Sequence, residues 1–366
     1  MEVTVKHRDE NLDNLRGFAM IWVILIHVLF WGNLFSDGYA YVLKSFLLFE
    51  MPLFFFITGA SNSLAQKYSY GKFVAKRFEH CLIPYWVFAF ICAVLSAAVN
   101  IVQHGGVLNT LKILISWSLP IDHQITSVSY LTWALWFIPV YLCVVLLLPA
   151  FRTIKDTNFS TAFWGVLVLA FFASSLLKLG WIQNVLFYSI WVYIGLYYQQ
   201  LIRRRKENKS RVTLGMIALL ISGGAVYVLH RMGYSLNMQS NKFPPNIVFF
   251  FFSFVAMSFL YLIYPVLESV LIHLKQNKLF GVIFKIFCTK SMTVFLYQVF
   301  AFNITLRMVN HLSIGNSFLA MSCKAVICFI STVLLCWVLG IVFGKIESWS
   351  LLSYIDRKRI DEKSIT

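Results

Sequence analysis

Arg16 and His27 stand in one apolar stretch, LDNLRGFAMIWVILIHVLFW, and their spacing is the first chemical signal in this chain of 366 residues. An eleven-residue step along an α-helix makes three turns with ~20° left over, so the two side chains share a face. The same step rises ~16 Å, which puts His27 about halfway through a hydrocarbon core of roughly 30 Å if Arg16 sits at its surface. A histidine at that depth either hydrogen-bonds a neighbouring helix to fix packing or does chemistry. Arg16 has two readings of its own, a topology anchor or a planar donor fork matched to phosphate. Asp13, three residues earlier, suits the start of the helix as a cap and lies within reach of Arg16.

Glu50, in LLFEMPLFFFITG, is the next ionisable group inside an apolar run. Counted from the inner ends of the first two helices, His27 is ~20 Å up and Glu50 ~24 Å up. Glu50 therefore either orients and charges His27, as a carboxylate does in hydrolytic triads, or faces an outer water-filled vestibule without touching it. A third cluster, KYSYGKFVAKRFEHCLIPYW, interleaves Lys67, Lys72, Lys76 and Arg77 with Tyr68, Tyr70, Phe73 and Phe78. Such a segment binds a phosphorylated aromatic ligand, cations to phosphates and rings to the base, or is a basic inner loop of the ordinary kind.

The elements that position these residues must be membrane helices. The chain is 59% hydrophobic and only 13% charged, and its apolar runs are continuous over about twenty residues rather than alternating, which selects helices over a barrel. The sequence predicts one all-α polytopic bundle of ten spans, at 15–34, 43–66, 82–102, 131–151, 161–178, 182–202, 212–230, 246–272, 281–306 and 316–344. Residues 107–120 are too short to cross and read as an interfacial or re-entrant piece. Lys285 and Lys290 interrupt the ninth span. Residues 1–345 form one membrane domain and 346–366 a short cytoplasmic tail; the polar N-terminus leads into a retained helix rather than a cleaved signal peptide.

Placement of charge tests this topology. With the N-terminus inside, 24 of the 31 Lys and Arg residues fall on inner segments and seven outside, the bias expected when both termini are cytoplasmic. The net charge of +16 is then a feature of inner loops, and the RRRK run at 203–206 is a topology anchor; nucleic acid is excluded as a partner. The seven cysteines are scattered without a CxxC spacing, which predicts neither disulfides nor a metal site. There is no GxGxxG, P-loop, GxSxG or HExxH, and no histidine is followed five positions later by Asp, which argues against dinucleotides, P-loop nucleotides, zinc hydrolysis and soluble acyltransferase chemistry. Trp117, Tyr130 and Trp133 read as interfacial anchors, although such rings also stack on sugars.

Taken in order, these stretches resemble the acyltransferase-3 family of integral membrane O-acyltransferases. The resemblance rests on LDNLRGFAMIWVILIHVLFW for an Arg-x10-His helix, MPLFFFITGASNSLA for FFxxSG, KFVAKRFEHCLIPYW for a basic RxxR…P segment, LWFIPVYLCVVLLLP for an LWF helix, and KSMTVFLYQVF for a late S-x-x-x-Y-L-x-H helix. It implies a multi-pass protein of the plasma (inner) membrane that moves an acetyl group from cytosolic acetyl-CoA, with no metal, to a hydroxyl of a surface or lipid-linked glycan. His27 would then be the general base or a transient acyl carrier, with Glu50 beside it. Arg16 would hold the phosphates or thioester end of the donor, and Lys72, Lys76, Arg77 and His80 its nucleotide part. The partners implied are acyl-CoA, a glycan acceptor and the bilayer, with a homo-oligomer compatible. Three positions depart from the pattern: His80 replaces the second Arg of RxxR, Gln298 the late-helix histidine, and Thr58 the FFxxSG serine. With no hydrolase-like domain after the tenth helix, the chain is similar to the stand-alone members, which complete the transfer themselves or pass the acyl group on. Competing expectations are transfer of a succinyl or other acyl group, and a glycan or lipid-linked sugar transporter, which should show two related halves.

Overall fold

The computed structural model of the chain describes residues 9–32, 44–65, 69–103, 106–120, 128–206, 208–312, 315 and 317–347. Among them the chain is all-helical, 85% helix with no strand. The basic positions Lys6, Arg8 and Lys67, with Tyr68 and the tail from 348 onward, lie outside the described residues. In chain order the helices begin with α1 (Glu10–Trp31), α2 (Glu50–Ser63), α3 (Tyr70–Val102), α4 (Val107–Ser116), α5 (Phe137–Lys155), α6 (Ser160–Leu176) and α7 (Trp181–Gly195). They continue as α8 (Tyr198–Lys206), α9 (Asn208–Arg231), α10 (Met238–Lys242), α11 (Ile247–Gln276), α12 (Lys278–Thr289), α13 (Ser291–Asn310) and α14 (Phe318–Glu347).

Seven described helices, α1, α3, α5, α9, α11, α13 and α14, are long and apolar enough to cross a membrane. This is a multi-pass membrane architecture. The other three expected spans hold shorter helices: α2 of 14 residues, α6 of 17, and α7 of 15 followed by α8. At ~1.5 Å per residue such helices fall short of a hydrocarbon core of roughly 30 Å. The ninth span is two helices, parted at Lys290. Its first part, α12, has 12 residues with Lys278 and Lys285 on an otherwise apolar helix, the make-up of an interfacial piece. The third span reaches back to Tyr70, making α3 33 residues long, or about 50 Å.

The chain divides into two compact units, Met1–Gln66 with Ala150–Thr289, and Lys67–Pro149 with Lys290–Thr366. In the first, α1 and α2 share a core with α11 through Leu15, Ala19, Leu53, Ile57 and Leu260. Helix α2 lies against α7 along a glycine seam. A Cβ on Gly59 would run into the Val192 carbonyl, and one on Gly195 into that of Phe56, so only residues without side chains let these backbones approach so closely. Phe55 stacks on Tyr188 at 4.4 Å in the same interface. Gly17 gives α1 its close fit to α12, where Cys288 and Phe284 face it.

The second unit has its own core. Thr305 and Thr332 join α13 to α14 through hydroxyls 2.7 Å apart. The Asn100 amide donates to Thr110 at 2.9 Å and accepts from Asn109 at 2.6 Å, tying α4 to α3. Trp117 is 1% exposed and packs edge-on to Phe88 at 6.4 Å, and its carbonyl and that of Leu119 both accept from the Tyr85 hydroxyl. It is a core residue rather than the interfacial anchor expected, because Val107–Ser116 forms a helix tied to α3 and the turn after it brings Trp117 against Phe88.

Candidate active site

Helix α1 carries the lead pair. Asp9, not Asp13, is its N-cap: the Asp9 carboxylate accepts from the backbone N–H groups of Asn11 and Leu12 at 3.0 and 3.1 Å, satisfying two donors that a helix start leaves open. That frees Asp13 for Arg16, whose Nη1 donates to Asp13 Oδ1 at 2.9 Å while Nη2 donates to Ser61 Oγ at 3.0 Å. Two bonds from two helices hold the guanidinium in a fixed plane, with Asp13 offsetting part of its charge. The Ser61 contact joins α1 to α2 just beyond the Gly59 seam.

From Arg16, α1 runs unbroken to Trp31, so the eleven-residue register to His27 holds and both lie along one face. His27 is half-buried between Ile26 and Val28, which are buried. The far half of α1 is clamped from the side: Trp22 Nε1 donates to the Leu47 carbonyl at 2.9 Å, and Lys44 Nζ to the Leu29 carbonyl at 3.2 Å.

Glu50 begins α2, where a carboxylate suits the helix dipole. Its partner is one that sequence reasoning missed. Lys242, at the end of α10, donates its ammonium to Glu50 Oε1, and the two side chains are 5% and 4% exposed. Glu50 Oε2 accepts no hydrogen bond among the described residues. The loop after α10 is pinned alongside, where Gln183 donates to the Pro245 carbonyl and Asn246 to Asn241. The available signal was Lys242 itself, one of only seven basic residues assigned to outer segments.

Close to Arg16 lies one nucleophile type that invites an acyl-carrier role. Burial pushes the Cys288 thiol up to about 12, with the Asp13 carboxylate adding to the rise and Lys275, Arg16 and the Gly17 N–H opposing it. A thiol held that high carries almost no thiolate near neutral pH and acts as a small apolar side chain. Cys288 packs against Gly17.

The basic cluster belongs to the second unit and is helical throughout its described part. Lys72, Lys76 and His80 recur at four-residue steps along one side of α3, and the Arg77 guanidinium sits over the Phe73 ring at 5.6 Å. His80 has gained a carboxylate neighbour: its Nε2 is 3.7 Å from Glu347 Oε1. Glu347 in turn caps α13, accepting from the Thr293 N–H at 2.9 Å, the Thr293 hydroxyl at 2.8 Å and the Met292 N–H at 3.4 Å. Lys72 and His80 are exposed, whereas Lys76 and Arg77 are half-buried. Gln298 is 1% exposed on α13, and Thr58 turns its hydroxyl back to the Phe54 carbonyl at 3.0 Å, satisfying itself within α2. Tyr130 lies under Arg307 at 5.3 Å and Trp133 against Phe302 at 6.4 Å.

The family model described as an acyltransferase domain, that of acyltransferase-3, matches residues 9–341, nearly the whole chain. No curated protein and no solved structure matches.

Proposed function

The chain belongs to the acyltransferase-3 family, and on that premise we propose that it is a membrane O-acyltransferase moving an acetyl group from cytosolic acetyl-CoA to a hydroxyl of a cell-surface or lipid-linked glycan. The observation that carries the reading is the single face of α1, with Arg16 held by Asp13 and Ser61 at one end and His27 eleven residues along. Arg16 receives the phosphate-bearing or thioester end of the donor at the inner mouth. At mid-depth, neutral His27 takes the proton from the acceptor hydroxyl as that oxygen attacks the thioester carbonyl. The tetrahedral adduct then expels the CoA thiolate, which recovers the proton from His27. Scarcity of water at that depth slows hydrolysis of the thioester.

Lys72, Lys76, Arg77 and His80 are assigned to the nucleotide part of the donor. Glu50, charged through Lys242, is assigned to the electrostatics of the His27 face. Charge bias supports both termini in the cytoplasm, and the inner membrane is the proposed location. The acyl group is open to the succinyl alternative through the same chemistry. The test is the acetyl content of extracted surface glycan from cells with the wild-type protein, with none, and with His27→Ala at equal membrane abundance. Acetyl that appears with the wild type and is absent in the other two supports the reading; full acetylation with His27→Ala removes it.

A further inference from the structure

Helix α12 turns three sides to three surroundings. At ~100° per residue, Phe280, Phe284, Phe287 and Cys288 fall on one side, and there the helix meets the protein. Phe284 and Cys288 share a core with Leu271 of α11, against which Phe18 and Ile21 of α1 pack. Val282, Ile286, Leu279 and Ile283 fill a neighbouring sector of ~100°, and its leading members are bare: Leu279 is 73% exposed and Val282 58%. Lys278 and Lys285 close the circle within ~20° of each other, both exposed.

Length and charge together say how such a helix lies. Its 12 residues make ~18 Å, too little to cross a core of roughly 30 Å. Upright, it would hold Lys285 ~10 Å deeper in hydrocarbon than Lys278; along the surface, both ammonium groups reach one level. The start of the helix is fixed by Asn277, whose Oδ1 accepts from the N–H groups of Leu279 and Phe280 at 3.1 and 3.2 Å. Toward its other end Phe284 and Cys288 face Gly17, one residue past Arg16. Lys275, just before the helix, gives its ammonium to Glu10 at 3.0 Å, which leaves Lys278 and Lys285 as the cations of the exposed edge. A bare apolar sector beside a lysine edge suits the boundary between acyl chains and headgroups, and the lysines favour headgroups that are anionic.

We propose that α12 is a docking surface for anionic phospholipid in the leaflet on the Arg16 side, with Val282 and Leu279 among the acyl chains and Lys278 and Lys285 on the headgroup phosphates. The surface stands on α12 alone; its consequence for the donor rests on the acyltransferase reading. Because α12 is seated against Gly17, lipid that holds α12 also holds the Arg16 end of α1, so anionic lipid lowers KM for acetyl-CoA with kcat little changed.

A small fluorophore is attached at Val282→Cys in the full chain carrying Cys143→Ser and Cys323→Ser, the two native cysteines that are not buried. The protein is reconstituted into phosphatidylcholine vesicles in which a minor fraction of lipid, either phosphatidylglycerol or phosphatidylcholine, is brominated on its acyl chains. The expected result is quenching by both, several-fold stronger with brominated phosphatidylglycerol, and equal quenching once Lys278→Gln and Lys285→Gln are introduced together. The same fluorophore at Val266→Cys, on an exposed position of α11, should be quenched alike by both lipids. Leu279→Cys is the second site should Val282→Cys give no monodisperse protein. Absence of quenching, which would mean that water or another protein covers the face, overturns the proposal. So does equal quenching by both lipids in the chain with native lysines, or a preference that survives the paired Gln substitutions. KM for acetyl-CoA is then measured in vesicles with and without phosphatidylglycerol. A lower KM with phosphatidylglycerol, lost in the paired Gln variant, supports the link to Arg16, and equal KM values overturn that link. Absence of transfer in both lipids would count against the acyltransferase reading and leave the quenching result standing.

Discussion

Lys242 and Glu50 illustrate how much one buried pair decides at the scale of the residue. Removing one partner leaves the other charge buried and uncompensated, which costs about 3–5 kcal/mol, whereas replacing both with neutral groups of similar size is often neutral. Lys242→Met is therefore expected to lower the stability of the detergent-purified protein sharply, and Glu50→Gln with Lys242→Met to restore most of it, as read by thermal unfolding. The double variant also separates structure from chemistry: wild-type acetyl transfer in it would confine Glu50 to packing, while a stable but slow enzyme would place its charge in the reaction. His27→Ala should reduce the transfer rate by about 10²- to 10⁴-fold, the range for loss of a general base. Ser61→Ala removes one of the bonds that orient Arg16 and should raise KM for acetyl-CoA about 2- to 10-fold, the equivalent of one ordinary hydrogen bond, with kcat little changed. The Arg16–Asp13 contact was legible because three residues on a helix fix a neighbour. Ser61 is 45 positions from Arg16 and Lys242 is 192 from Glu50, and no local periodicity reports such distances.

Among the elements, the α2–α7 seam is the most exacting. Backbone carbonyls occupy the space where side chains at Gly59 and Gly195 would go, so the helices must separate to admit even a methyl group. Gly59→Val is expected to cost about 1–3 kcal/mol or more through overpacking, seen as a lower unfolding temperature and loss of membrane-inserted protein; an unchanged unfolding temperature would mean that the seam yields at no cost. Helix identity was readable from apolar runs almost everywhere, since lipid leaves the backbone few alternatives. Helix limits were less so. The split of 281–306 at Lys290 and the extension of α3 to Tyr70 arise because hydropathy measures burial in lipid and not helicity, so it misses helix in polar sequence and joins helices across a single charged residue.

For the whole molecule, class was fixed by composition, while the division into two units was not legible: strands of sequence far apart build each unit, and no linker or change of composition marks the borders. The proposed orientation rests on where the 31 basic residues fall. A reporter fused after residue 366 should read as cytoplasmic, and a cysteine introduced in the 232–237 connection should react with a membrane-impermeant maleimide added outside intact cells; the reverse labelling would invert the topology and with it the side from which the donor enters. One further consequence follows from α3, which at about 50 Å exceeds a hydrocarbon core of roughly 30 Å. Lys72, Lys76 and His80 then stand on a rigid rod at intervals of ~6 Å instead of on a coil. A polyanion bound to them would meet a preformed ladder, with no loop to order, and the pitch of that ladder would discriminate among anions by the spacing of their charges.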